Sequence, residues 1–150
     1  MLIRPFRPDD EDPVVALWQA CGLTRPWNDP HKDIARKLAV QRELFLVGER
    51  EGRVIATVMA GYDGHRAWIY YLAVAPRHQG AGLGTQLVRR VEQEMLARGC
   101  PKVSLLVRSS NAQVLAFYRK LGYAQDDAVP LGKRLIPDLP ELPQPRSGPP

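Results

Sequence analysis

Two rhythms of apolar and polar residues divide this chain. Alternation, or a short run of branched and aromatic side chains, predicts a strand; recurrence at i, i+3, i+4 and i+7 predicts a helix. Leu2–Arg7 alternates and predicts a short strand, which Pro5 places at a sheet edge. Asp12 and Pro13 suit the cap and first position of a helix carrying Val14, Leu17, Trp18 and Cys21 on one face, with Gly22 to end it. Asp29 and Pro30 repeat that opening for a second helix, with Ile34, Leu38 and Ala35 facing inward. Strands are predicted at Leu44–Val47, Val54–Ala60 and Ala67–Val74, the last two joined by the hairpin signal Asp63-Gly64. A helix with Leu87, Val88, Val91 and Met95 on its inner face runs to Gly99, and Val103–Val107 is a fifth strand. Because a helix crossover precedes it, this strand should lie parallel to Ala67–Val74. A last helix over Ala112–Leu121 aligns Val114, Phe117, Tyr118 and Leu121, and Tyr123–Leu135 should hold two short strands.

The candidate chemistry lies where the strand Ala67–Val74 meets the helix after it. Pro76 has no N–H for a ladder and stops the strand, and glycines then stand at 80, 82 and 84. Glycines let a backbone approach a ligand closely, and the first amides of a helix have no intrahelical acceptor, so strand, glycine loop and helix together suit an anion such as a pyrophosphate. Two familiar anion loops do not fit. The dinucleotide fingerprint needs glycine where Thr85 stands, and an acid near Val103, Ser104 and Leu105. The phosphate loop needs a lysine that Gly84-Thr85-Gln86 lacks.

Gln79-Gly80-Ala81-Gly82-Leu83-Gly84 does resemble the Q/R-x-x-G-x-G/A signature of the GNAT superfamily of acetyl-CoA-dependent N-acetyltransferases. Asn111, followed by Phe117-Tyr118-Arg119-Lys120-Leu121-Gly122-Tyr123, resembles a second segment of that superfamily, in the right order. Arg25–Pro30, Gly61–Arg66 and Gly132–Leu135 look like the bacterial YpeA group within it. The resemblance spans about Leu2 to Ile136. It implies an α/β fold: a mixed, mostly antiparallel sheet of about 6–7 strands, one parallel pair at the cofactor site, and helices on both faces. It also implies that acetyl-CoA is the co-substrate. The backbone of Leu72, Ala73 and Val74 would hold the pantetheine arm, Gln79, Gly80, Ala81, Gly82, Leu83, Gly84 and Thr85 the pyrophosphate, and Asn111 the arm again. Tyr118 matches the general acid that protonates the leaving thiolate, a role suited to a phenol. Position alone would equally allow it as a core aromatic.

The acceptor side is less legible. In such folds the connection between the first two helices lines the acceptor, which makes Trp27 and Asp29, with Tyr70, the candidate substrate-binding residues; a plug and a simple helix cap are equally open for the first two. No carboxylate lies on Trp68–Val74 where many relatives carry their base. Asp63, His65, Asp29 or a water chain are left, and none is singled out. The expected acceptor is a primary amine, a small molecule or amino-acid-like one in preference to a protein or peptide. A coenzyme A-binding module with little catalysis is the alternative from another class.

Composition narrows the setting. At 150 residues and 45% hydrophobic content, one domain over residues 1–136 is expected, with a proline-rich tail over 137–150 that should be disordered and without function. The net charge of +5 is dispersed, so no nucleic acid is expected, and a polyanionic cofactor accounts for some of it. Two separate cysteines, Cys21 and Cys100, and three unpaired histidines predict neither disulfide nor metal. No apolar run reaches the length of a membrane span and the first residues do not suit a signal peptide, so a cytoplasmic protein, monomer or homodimer, is expected.

Overall fold

The computed structural model describes residues 1–139. Five strands form one sheet in the order of the chain: β1 (Leu2–Pro5), β2 (Phe45–Arg50), β3 (Arg53–Tyr62), β4 (Ala67–Val74) and β5 (Val103–Leu105). Neighbours are antiparallel except β4 and β5, which are parallel, and β1 is at the edge as Pro5 required. Helices α1 (Glu11–Ala20) and α2 (Pro30–Leu38) cover one face; α3 (Leu83–Ala97) and α4 (Ala112–Lys120) cover the other. The period-two alternation of β2 sorts its side chains between the two layers. Phe45 and Val47 join Val14, Trp18 and Ile34, while Leu46 joins Leu87, Val88 and Val91.

Three expectations need adjustment. The sheet has five strands rather than 6–7, because Tyr123–Leu135 forms none. Every residue from Ala124 to Pro137 is exposed, Pro130 has no N–H to give, and β5 offers only three residues to pair with. The first helix begins at Glu11, so Pro13 lies inside its first turn, where a missing N–H costs little. Asp10 stands before it, buried, gripped by Arg4 at 2.8 and 2.9 Å and by the Arg7 amide at 2.7 Å. Third, the segment expected to be a free tail begins with an anchored residue. Asp138 is buried; its carboxylate accepts from Arg36 at 2.6 Å and from the Asp29 amide at 2.9 Å, and Lys32 donates to its carbonyl. The Arg36 guanidinium and the Asp29 amide hold its pKa down to about 2. Arg134 adds a bond to Asn28 at 2.6 Å, so residues 134–138 form a strap against the start of α2. The rest of the expected tail, 140–150, lies outside the described residues.

The layer under α1 and α2 holds a buried polar chain. Trp18 Nε1 donates to Thr57 Oγ1 at 2.9 Å, and Thr57 Oγ1 donates to the Tyr71 carbonyl at 2.9 Å. Thr57 is fully buried, so its hydroxyl is the available partner for both. Thr57→Val keeps the shape and strands a donor and an acceptor. At about 1–3 kcal/mol for each unsatisfied buried group, the loss should be about 2–6 kcal/mol. Urea unfolding of the variant should show a lowered midpoint at an unchanged slope.

Candidate active site

The site begins where β4 leaves β5. Their pairing covers only Ala67–Val103, Trp68–Ser104 and Ile69–Leu105. Beyond Ile69, β4 keeps its bonds to β3 on one side and presents an unpaired edge on the other. A bulge lies at this point. Tyr70 pairs with Met59 and Ala73 with Thr57, so Tyr71 and Leu72 together face Val58. The extra residue inverts the alternation: Ala67 and Ile69 point to the α3 layer, but Tyr71, two residues on, points to the α1 layer. Tyr71 takes φ of 51°, a region costly for a residue with a Cβ. Its ring lies on Trp18 with centroids 3.8 Å apart, its carbonyl takes the Thr57 bond, and its hydroxyl donates to Asp33 at 2.6 Å. Burial first, and Asp33 second, push the Tyr71 phenol well above its ordinary value.

β4 then runs through a 3-10 turn, Pro76–His78, into the glycine loop. Gln79 turns its side chain back and donates to the Val74 carbonyl at 2.9 Å, tying loop to strand end. Gly80 and Gly82 both sit at φ of 79°, and a Cβ on either would meet no protein atom, so the backbone there faces open space. Gly82 caps α3 without any side-chain bond, leaving the amides of Leu83, Gly84 and Thr85 without intrahelical acceptors. Gly84 is a packing glycine: its Cβ would stand 3.4 Å from the Phe117 ring. Ala81 is exposed, and Leu83 buries its side chain in the core, so each offers the loop its backbone only. An open concave backbone with free amides at a helix start fits a pyrophosphate.

The unpaired edge of β4 opens into a cleft of about 1000 Å³. Leu72 lines it, while Ala73 and Val74 send their side chains into the two cores and are not among the lining residues. Tyr118, on α4, lines the cleft at 7% exposure. Its ring packs edge-on against Phe117 and Tyr123, and its hydroxyl has no hydrogen bond among the described residues. Burial, then the neighbouring Tyr123, raise its pKa, so the phenol keeps its proton at neutral pH. Asn111 reaches the cleft and also caps α4, accepting from the Val114 amide at 3.2 Å.

Trp27 and Tyr70 line the cleft, both about half exposed. Asp29 is not among the lining residues; it caps α2, accepting from the His31 amide at 2.9 Å. Asp63 closes the β3–β4 hairpin through the amides of His65 and Arg66, and His65 is exposed on that turn, so neither faces the cleft. The carboxylate that does face it is Asp33, one turn into α2, with Lys37 one turn further. Sequence reasoning missed both. They read as the solvated face of a short helix, and only the inverted Tyr71 side chain brings Asp33 into the site.

With that geometry in place, the sequence profile of the acetyltransferase (GNAT) family matches residues 11–123. A protein of Pectobacterium atrosepticum named as an acetyltransferase is 51% identical over 138 residues, covering 92% of this chain and 98% of that one. Among solved structures, Ard1 from Thermoplasma volcanium superposes with a TM-score of 0.74 at 27% identity, over 82% of each chain. The ribosomal-protein-S18-alanine N-acetyltransferase of Escherichia coli superposes with a TM-score of 0.67 at 25% identity, over 81% of this chain and 76% of that one.

The loop assignment has a direct test. Gly82→Val places a branched side chain at φ of 79° on the open side of the loop. Titration calorimetry of coenzyme A should show affinity lowered at least about tenfold, the equivalent of about 1.4 kcal/mol. Unchanged affinity in a folded variant would remove the loop from the cofactor site.

Proposed function

The chain belongs to the acetyltransferase (GNAT) family and is an acyltransferase, and from that premise we propose that it transfers the acetyl group of acetyl-CoA directly to the primary amine of a small acceptor. The observation that carries this reading is the splay: a strand whose free edge runs into an anion-binding loop, with a protonated phenol facing it across the gap.

Acetyl-CoA supplies an activated acyl carbon on a thiol leaving group. The chain's own residues supply the rest. The unpaired edge of Tyr70–Val74 receives the amide-bearing arm as an added strand would be received, and the bulge at Tyr71 and Leu72 turns backbone groups toward the thioester carbonyl. The amides of residues 80–85 hold the pyrophosphate. Gln79 keeps the loop attached to the strand end, which fixes the distance between the two binding elements. As the amine attacks, the carbon–sulfur bond breaks, and Tyr118 gives its proton to the departing sulfur. The amine's own proton leaves toward Asp33, whose Oδ2 is already held by Tyr71. Asp33 therefore takes the place among the candidates for base that Asp29, Asp63 and His65 held in the sequence.

A protein or peptide acceptor is the second reading, favoured by the similarity to the ribosomal-protein-S18-alanine N-acetyltransferase. Against it stands the strap: Arg134 on Asn28 and Asp138 on Asp29, Lys32 and Arg36 tie chain onto the segment next to Trp27 and hold that segment in place.

A screen of amines, amino acids and peptides with acetyl-CoA, read by free thiol, identifies acceptors. Tyr118→Phe, assayed with whichever acceptor is turned over, keeps the ring and removes the hydroxyl. Turnover should fall by about 10²–10⁴-fold, the range of general acid catalysis. The thermal midpoint should barely move, because the hydroxyl has no partner to lose among the described residues. Near-normal turnover would return Tyr118 to a packing role.

A further inference from the structure

The acceptor end of the cleft carries charges that acetyl transfer to a plain amine does not need. Arg25, Asp33, Arg36 and Lys37 all line it. Three are positive and one is negative, and two of the positive ones are engaged. Arg25 donates to the carbonyls of Gly22 and Thr24 at 2.8 and 3.0 Å. Arg36 is bound to Asp138 at 2.6 Å and reaches Asp33 at 3.4 Å. Lys37 has no ion pair and no hydrogen bond among the described residues. Its ammonium lies beside the bare backbone of Gly61, 3.6 Å from where a Cβ would stand, and half-burial lowers its pKa. Glu43, the acid that counteracts this shift, is itself shared with Arg98 at 3.5 Å. A partly desolvated ammonium with no local partner is a cost unless an anion meets it.

Asp33 and Lys37 are four residues apart on α2, so they stand on one face a single turn apart, about 5–6 Å. The pair offers a negative and a positive anchor one helical turn apart on the wall of one cleft, as a small zwitterion requires. The surplus of positive charge around Asp33 also repels an acceptor that carries positive charge alone. Resting on the acetyl-transfer reading above, we infer that the acceptor is a free amino acid, its ammonium held at Asp33 and its carboxylate at Lys37. Trp27 and Tyr70, both exposed to the cleft, are then left for the acceptor's side chain. A peptide N-terminus, which has an amine but no carboxylate beside it, leaves Lys37 unmatched.

Binding tests this without relying on catalysis. A panel of the free amino acids, and the amide of each, is titrated by calorimetry into the protein saturated with coenzyme A. At least one amino acid should bind ten-fold or more tighter than its own amide, and Lys37→Met should abolish that preference. Coenzyme A titrated into the same variant reports that it is folded, and Lys37→Arg should restore part of the preference. Amides that bind as well as the acids, a preference that survives Lys37→Met, or an absence of binding by every amino acid would each overturn the inference. Thiol release from acetyl-CoA across the same panel tests the transferase reading separately. A binding preference for acids with no acceptor-dependent thiol would sink that reading and leave the anchor pair standing. Thiol release that is equal for acids and amides would do the reverse.

Discussion

One tyrosine held in a left-handed backbone conformation decides where everything else in the cleft stands. Tyr71 at φ of 51° is unfavourable by itself, on the order of 1–2 kcal/mol. It persists because three partners determine it at once: the face of Trp18, the hydroxyl of Thr57 and the carboxylate of Asp33. Those partners come from α1, β3 and α2. The bulge is thus fixed by the whole of one layer and has no freedom to relax along the strand. Its consequences run in both directions. On one side it delivers a phenol to α2 and so brings a helix carboxylate into the site. On the other it accompanies the departure of β4 from β5, without which there is no cleft.

Two kinds of surface meet around that cleft. One is backbone: the free edge of β4, the loop amides and glycines that keep side chains out of the way. The other is side chains, drawn from the α1–α2 connection, α2 and β4. Backbone recognition constrains the local sequence tightly, since only glycine sits easily at φ of 79° in two successive turns of a loop. Side-chain recognition leaves the sequence almost free, provided the scaffold points some residue at the right place. An enzyme family can therefore keep one cofactor while its members change acceptors.

The same division separates what is legible in the amino-acid sequence from what is not. β4 is predicted to the residue, and Asp29 and Pro30 mark the start of α2 because capping chemistry is local. The glycine loop and Tyr118 stand out because both lie in motifs with a fixed spacing along the chain. Asp33 and Lys37 do not stand out, since a polar pair at i and i+4 on a short helix is the ordinary signature of a solvated face. The bulge is hidden too: Tyr70-Tyr71-Leu72 alternates no differently from a regular strand, and only Trp18 and Thr57, 53 and 14 residues before Tyr71 in the sequence, turn Tyr71 over. The two strands predicted after Tyr123 fail for a related reason. A strand needs a neighbour, and whether one is in reach is not written in the segment itself.

The strap has a consequence for how the molecule assembles. The bond from the Asp29 amide to Asp138 closes a loop spanning 109 positions, and Arg134 to Asn28 spans 106, far longer than any hairpin in the sheet. Closing so long a loop carries a larger entropic penalty than the adjacent pairings of β1 to β4. The sheet, the bulge and the glycine loop can therefore form first, and the strap is the element that docks last and opens first. The strand edge that lines the cleft is then complete before residues 134–138 are fastened to the start of α2.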